Sequence, residues 1–199
     1  MKPLCLFIFR IYLTQNRFAL LLEMLSGAVM EQHFQMFAYY NRWANELLYS
    51  AAADLSDADY RLDLGLFFGS VHRTFNHLLV TDRIWMKRFT GEGDHPNQLD
   101  AIITDDFIKL RDMRRAEDER ICKYVEGMNA EQLAGRFTYM TATNVRTISQ
   151  RVAPALAHLF NHQTHHRGQI HAALTRLSAD APSLDLIQFQ RTEAGRRFA

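Results

Sequence analysis

The sequence predicts an all-α fold, a four-helix bundle carrying an extra N-terminal segment. Three observations predict it. Apolar residues recur at helical spacing along four long stretches, which are separated by connections rich in breakers. One stretch between them, Leu133–Ile148, lacks a helical period. The last helix carries a stripe of histidines, a polar feature that helical bundles complete from a facing helix.

The 199 residues make one domain of ordinary size, with enough chain for a real core. Hydrophobic residues are 48% and charged residues 23%, ordinary globular usage that argues against disorder. A formal net charge of +1 leaves no electrostatic footprint for nucleic acid or an anionic membrane. No run reaches the roughly 18 apolar residues of a membrane span. Two cysteines, Cys5 and Cys122, are too few for a disulfide framework or a zinc-thiolate site. A cytoplasmic location is the expectation.

Residues 1–29 stand apart. Their apolar runs, Pro3–Phe9 and Phe18–Leu25, are broken by Arg10, Arg17 and Glu23. As a signal peptide the segment is poor: the first run is short and ends in a charge, and Ser26-Gly27-Ala28 is a weak cleavage site. The expectation is an extra N-terminal helix, or an upstream stretch read in frame before a start at Met30.

Glu31–Leu55 reads as the first bundle helix, with Phe34, Phe37, Ala38, Trp43, Ala44, Leu47, Leu48 and Ala51 on a broad apolar face. Ser56-Asp57-Ala58-Asp59 is a turn and cap cluster. Leu66–Phe89 is the second helix, with Val71, Phe75, Leu78, Leu79, Asp82 and Trp85 along one side. His77 sits beside that stripe, where an imidazole must find a partner. His72 points well away from His77 and is expected to be exposed. Thr90–Asn97 is a loop. Thr104-Asp105-Asp106 caps a third helix that continues to about Glu126 and ends at Gly127. Its charged run Arg111–Arg120 reads as a solvated face. Phe137-Thr138-Tyr139-Met140-Thr141 favours β structure, so an extended connection or short hairpin is expected there. The last helix runs from Arg151 or Ala153 to Leu177, followed by a tail and a basic end expected to fray.

Four of the nine histidines fall between Leu159 and His171, and His158 precedes them. His162 and His166 lie one turn apart on one face and can turn ring nitrogens toward one divalent ion. His158 and His166 are about 12 Å apart along the axis. With metal–nitrogen bonds of about 2.0–2.1 Å, one ion takes two adjacent members of the stripe. On geometry alone His165, three residues from His162, could replace His166. His171 points elsewhere. A third ligand has to come from another helix.

Two segments carry a family resemblance: Asn76-His77-Leu78-Leu79-Val80-Thr81-Asp82, and Asn161-His162-Gln163-Thr164-His165-His166-Arg167-Gly168-Gln169. The chain resembles the DinB (damage-inducible protein DinB/YfiT-like) family. The likeness covers residues 30–190, leaving 1–29 as an extension and 191–199 as a C-terminal tail. It implies a bundle of up-down-down-up type holding one divalent transition metal per chain on His77, His162 and His166, and so chooses His166 over His165. Gln169, and more weakly Asn161 and Arg167, become contacts behind the ligands or at the substrate, with a surface or interface charge as the alternative for Arg167, and Gly168 becomes a close-packing position. Zinc is favoured on availability, nickel next.

The function the resemblance implies is a metal-dependent enzyme with a small-molecule substrate. Families similar to this one include thiol transferases and a mycothiol-dependent isomerase. That points to a thiol S-transferase in which the metal holds a low-molecular-weight thiol as its anion, or to a hydrolase using metal-bound water. No catalytic side chain is assigned. The alternative is a non-catalytic metal-binding protein, stress-responsive or structural, whose ion ties the second helix to the fourth. A homodimer is expected. Despite the family name, nucleic acid is not an expected partner, because nothing in the chain is basic enough.

Overall fold

The computed structural model describes residues 3–141, 146–177 and 179–199, with side chains described from residue 27 onward. In chain order the elements are α1 (Pro3–Ala52), α2 (Asp57–Arg61), α3 (Val71–Thr90), α4 (Phe107–Glu126), α5 (Ala130–Ala134), β1 (Arg136–Met140), β2 (Thr147–Arg151), α6 (Val152–Arg176), α7 (Leu186–Arg191) and a closing 3-10 turn, Arg196–Phe198. Helices α1, α3, α4 and α6 form the bundle. The backbone of the N-terminal segment is continuous with the first bundle helix in α1.

Side-chain pairs give the helix directions. Arg42 bonds Glu119 at 3.0 Å and Arg115 bonds Glu46, so α1 and α4 are antiparallel. Arg114 meets Asp82 at 2.8 Å and Arg120 donates to Thr90 at 3.2 Å, so α3 and α4 are parallel. Trp85 packs on His158 while His77 meets His166, so α6 runs against α3. The order is up-down-down-up.

Parallel neighbours need a long return, and residues 91–106 supply it by running from the end of α3 back to its start. Gly91 ends α3 at φ 77, the left-handed conformation that favours glycine. Asn76 then pins the far end of the return. Its Oδ1 accepts from the backbone N–H of Ile103 at 2.8 Å and of Thr104 at 3.2 Å. The connection from α4 to α6 is the short hairpin expected, with β1 antiparallel to β2 and Tyr139 opposite Ile148.

The second helix begins five residues later than its apolar pattern proposes. Leu66 and Gly69 close a tight bridge, with Gly65 and Gly69 at φ 72 and 83, and a right-handed helix cannot pass through two left-handed glycines. Ser70 caps the true start by accepting from the Arg73 N–H.

Two apolar clusters fill the bundle. One is built around Phe34, Met86, Ile121, Leu156 and Phe160, the other around Leu48, Phe75, Leu79, Leu110 and Leu174. Between them lies a buried polar belt to which every bundle helix contributes: Asn41 and Asn45, Asp82, Arg114 and Asp118, Gln163 and Arg167. Arg114 pairs with both Asp82 and Asp118 (2.8 and 3.0 Å), Asn45 donates to Asp118 at 3.0 Å, and Arg167 donates to Asn41. The charged run of α4 is therefore only partly solvated, and Arg167 is a core residue, 1% exposed, rather than a surface charge.

Three further expectations change. His72 is 5% exposed, because α2 lies over the start of α3 and brings the Tyr60 ring to 5.3 Å. The position of Gly168 faces open space. The close-packing glycine is Gly27, where a Cβ would lie 2.6 Å from that of Ala130 as α1 crosses α5. The basic end does not fray: Phe198 stacks on Phe189, which is fully buried against Tyr40 and Trp43. Among the described residues no helix is long and apolar enough to cross a membrane.

Candidate metal centre

Antiparallel packing of α3 on α6 sets His77 opposite the turn that joins His162 to His166. The ring centroids lie 5.1 Å (His77–His162), 4.6 Å (His77–His166) and 4.5 Å (His162–His166) apart. One nitrogen from each ring lies within 4.8 Å of the others, close enough to bind a metal ion. His77 Nε2 and His162 Nε2 are 3.2 Å apart, near the separation of two nitrogens sharing one ion at about 2.0–2.1 Å from each.

The far nitrogens of two rings are already engaged. His77 Nδ1 lies 2.8 Å from the Leu99 carbonyl, which can only accept, so the proton sits on Nδ1 and Nε2 is left bare. His166 Nδ1 lies 2.9 Å from Gln169 Oε1, with the same consequence. Such partners fix the tautomer and aim the ring. Phe68 stacks on His77 with centroids 3.8 Å apart and lies 5.5 Å from His166, covering one side. His77 and His166 are buried and His162 is half-buried.

Burial also sets the charge. It pushes His77 down to about 4, partly opposed by the Leu99 carbonyl, and His162 down to about 3, with the neighbouring imidazoles adding to the effect. His166 is lowered by burial against the opposing bond to Gln169. Three rings neutral at pH 7, with two bare nitrogens aimed inward, are the donor set that a divalent transition metal takes.

The other histidines fall outside the cluster. His165 is exposed and lies 3.2 Å from Gln169 Nε2. His158 stands 5.9 Å from His162 by ring centroids and does not join the converging nitrogens. Among the described residues only His77, His162 and His166 gather in this way, and His171 takes no part. Asn161 is exposed and lines a groove of about 280 Å³ with His33, Phe34 and Phe37 of α1. Asp82 is committed to Arg114 in the polar belt, with burial lifting it to about 6.

Several residues that build the site were not singled out in the sequence. Asn76 holds the return loop, and that loop delivers the Leu99 carbonyl to His77. Gln163, next to His162, donates to the Leu78 carbonyl at 3.3 Å and ties the two ligand-bearing segments together. Asn76 and Gln163 stand inside the two histidine motifs, and that placement was the available signal. A backbone carbonyl such as that of Leu99 leaves none.

The chain was compared with known proteins. Protein DinB of Bacillus subtilis (strain 168) is 23% identical over 158 residues, spanning 75% of this chain and 89% of that protein. The crystal structure of a DinB-like protein from Bacillus cereus ATCC 10987 shares the fold, with a TM-score of 0.54 at 14% identity over 70% of this chain and 89% of that one. The pattern of the DinB family itself matches residues 30–197, which take in both histidine motifs and the bundle from Met30 onward, and the chain belongs to the DinB family.

Proposed function

We propose that His77, His162 and His166 hold one divalent transition metal, zinc first and nickel next, and that the protein is a metal-dependent enzyme acting on a small molecule through a low-molecular-weight thiol. The observation that carries this reading is the convergence of three neutral imidazoles whose ligating nitrogens lie within 4.8 Å of one another. Three protein ligands leave a tetrahedral ion an open position. An ion held there supplies Lewis acidity, which stabilises a thiol as its nucleophilic anion or makes a bound water more acidic.

The chain's own residues do the rest. Leu99 and Gln169 keep the protons of His77 and His166 on Nδ1, so that Nε2 faces inward. Phe68 shields one flank. No carboxylate joins the three histidines among the described residues. A thiol that the ion would hold as its anion needs no further activation, whereas hydrolysis also calls for a protein base, so the transferase reading stands ahead of the hydrolase one. A non-catalytic role remains the competing class, because the same ion would tie α3 to α6.

Cobalt-substituted protein tests the proposal. Adding cysteine or glutathione should produce the sulfur-to-cobalt charge-transfer absorption of a bound thiolate, and the His162→Ala/His166→Ala variant should show none. Absence of the band in wild type, with cobalt bound, would remove thiol activation and favour the structural role.

A further inference from the structure

Near the end of α3, Arg88 is half-buried and its guanidinium packs against two aromatic rings. Cζ is 4.7 Å from the Trp85 centroid and 4.4 Å from that of Tyr139. No carboxylate among the described residues pairs with it; the neighbouring group acting on its charge is the phenol of Tyr139. A cation drawn out of water is costly unless it is paired and hydrogen-bonded. The two rings, themselves 5.7 Å apart, give the guanidinium cation–π contact from neighbouring sides, and no hydrogen bond among the described residues engages its N–H groups. Those donors form a rigid fork that matches two oxygens of a carboxylate or phosphate.

Arg88 lines a cavity of about 520 Å³ between α3, the start of the return loop and β1. Lys87 and His95 line it too, Ile84 and Met140 give it apolar wall, and no acidic side chain takes part. Its chemistry is that of a pocket for an oxyanion on an apolar stem. Outside the cavity's lining a row of rings runs from Arg88 toward the histidine cluster: Arg88 packs on Trp85, Trp85 on His158 at 5.1 Å, and His158 is 5.9 Å from His162. Arg88 also lies about three helical turns beyond His77 on the same stripe of α3.

We propose that this cavity binds the oxyanion head group of a small organic acid, with Arg88 as the anchor, and that the bound molecule extends toward the three-histidine centre. The anchor stands on the cavity alone. The direction of the molecule rests on the metal-site reading above.

The test separates the two. Metal-free protein is titrated with hexanoate, inorganic phosphate and hexanol, following the indole N–H signal of Trp85 in a proton–nitrogen correlation spectrum (assigned by its loss in Trp85→Phe). Hexanoate or phosphate should bind at least about tenfold tighter than hexanol, the size of effect a charge-assisted pair gives. The tighter of the two identifies the head group. Arg88→Gln should erase the advantage while leaving the rest of the spectrum and the zinc stoichiometry unchanged. Arg88→Lys, which keeps the charge but loses the fork, should retain part of it. Equal binding of anions and alcohol in wild type, or an advantage that survives Arg88→Gln, overturns the anchor. On cobalt-loaded protein, ω-mercaptohexanoate should then produce the thiolate band at lower concentration than ω-mercaptohexanol, and Arg88→Gln should abolish that difference. Anion binding that depends on Arg88 without any thiolate band would leave the anchor standing and remove the thiol reading.

Discussion

The imidazole of His77 is held from three directions: Leu99 takes its Nδ1 proton, Phe68 stacks on its face, and His162 stands 3.2 Å from its Nε2. A ring this constrained is a preorganised ligand, and its loss removes more than one donor atom. His77→Ala should cut zinc affinity steeply, whereas His171→Ala should leave it nearly unchanged, as read by competition with a chromophoric chelator. Gln169→Ala acts one step back. It frees His166 to choose its tautomer and should cost about ten- to a hundredfold in affinity, the range seen when a partner of a metal-bound histidine is lost. Wild-type affinity in His77→Ala would dismantle the three-histidine centre. Unchanged affinity in Gln169→Ala would mean that the Gln169 bond does not aim the ring.

At the scale of elements, the ligand helices are joined by more than the histidines. Gln163 reaches across to the Leu78 carbonyl, and beneath it the polar belt joins all four bundle helices through Arg114 with Asp82, Asn45 with Asp118 and Arg167 with Asn41. Burial works against each charge in that belt, lifting Asp82 to about 6 and raising Asp118, while the two carboxylates hold Arg114 above its ordinary value. The belt survives because its charges face one another. Arg114→Ala strands two buried carboxylates and should destabilise the protein by about 3–5 kcal/mol in chemical denaturation. A loss below about 1 kcal/mol would show that water or rearrangement compensates the carboxylates, and that the belt does not hold the helices in register.

For the whole molecule, the parts that could be read from sequence were those with a periodic or compact signature. Apolar spacing located the four bundle helices, and the separation of His162 from His166 put two rings on one face. The polar belt was harder to see, because Arg114 and Asp118 have the same spacing whether they face water or polar groups on three other helices. Leu66–Ser70 looked helical because its apolar residues continue the pattern of α3, and only the left-handed glycines break it. The crossing loop carries the Leu99 carbonyl to His77 across 22 residues, a relation with no local trace.

The fold also sets a pH dependence. Burial places His77 and His162 at about 4 and 3, well under the ordinary imidazole value of about 6.5, so as pH falls the ligands stay neutral long after an exposed histidine has charged. Zinc occupancy after dialysis should therefore hold from about pH 8 to about pH 6 and fall only below about pH 5. Release centred near pH 6.5 would mean that the cluster is wetter than its burial indicates.

Metal content tests the central claim most directly. Protein purified without a histidine tag should carry about one equivalent of a transition metal by elemental analysis, and the His162→Ala/His166→Ala variant prepared beside it should carry none. No metal in the wild type, even after reconstitution with zinc and nickel, would contradict the account and leave a histidine-rich bundle without a metal centre.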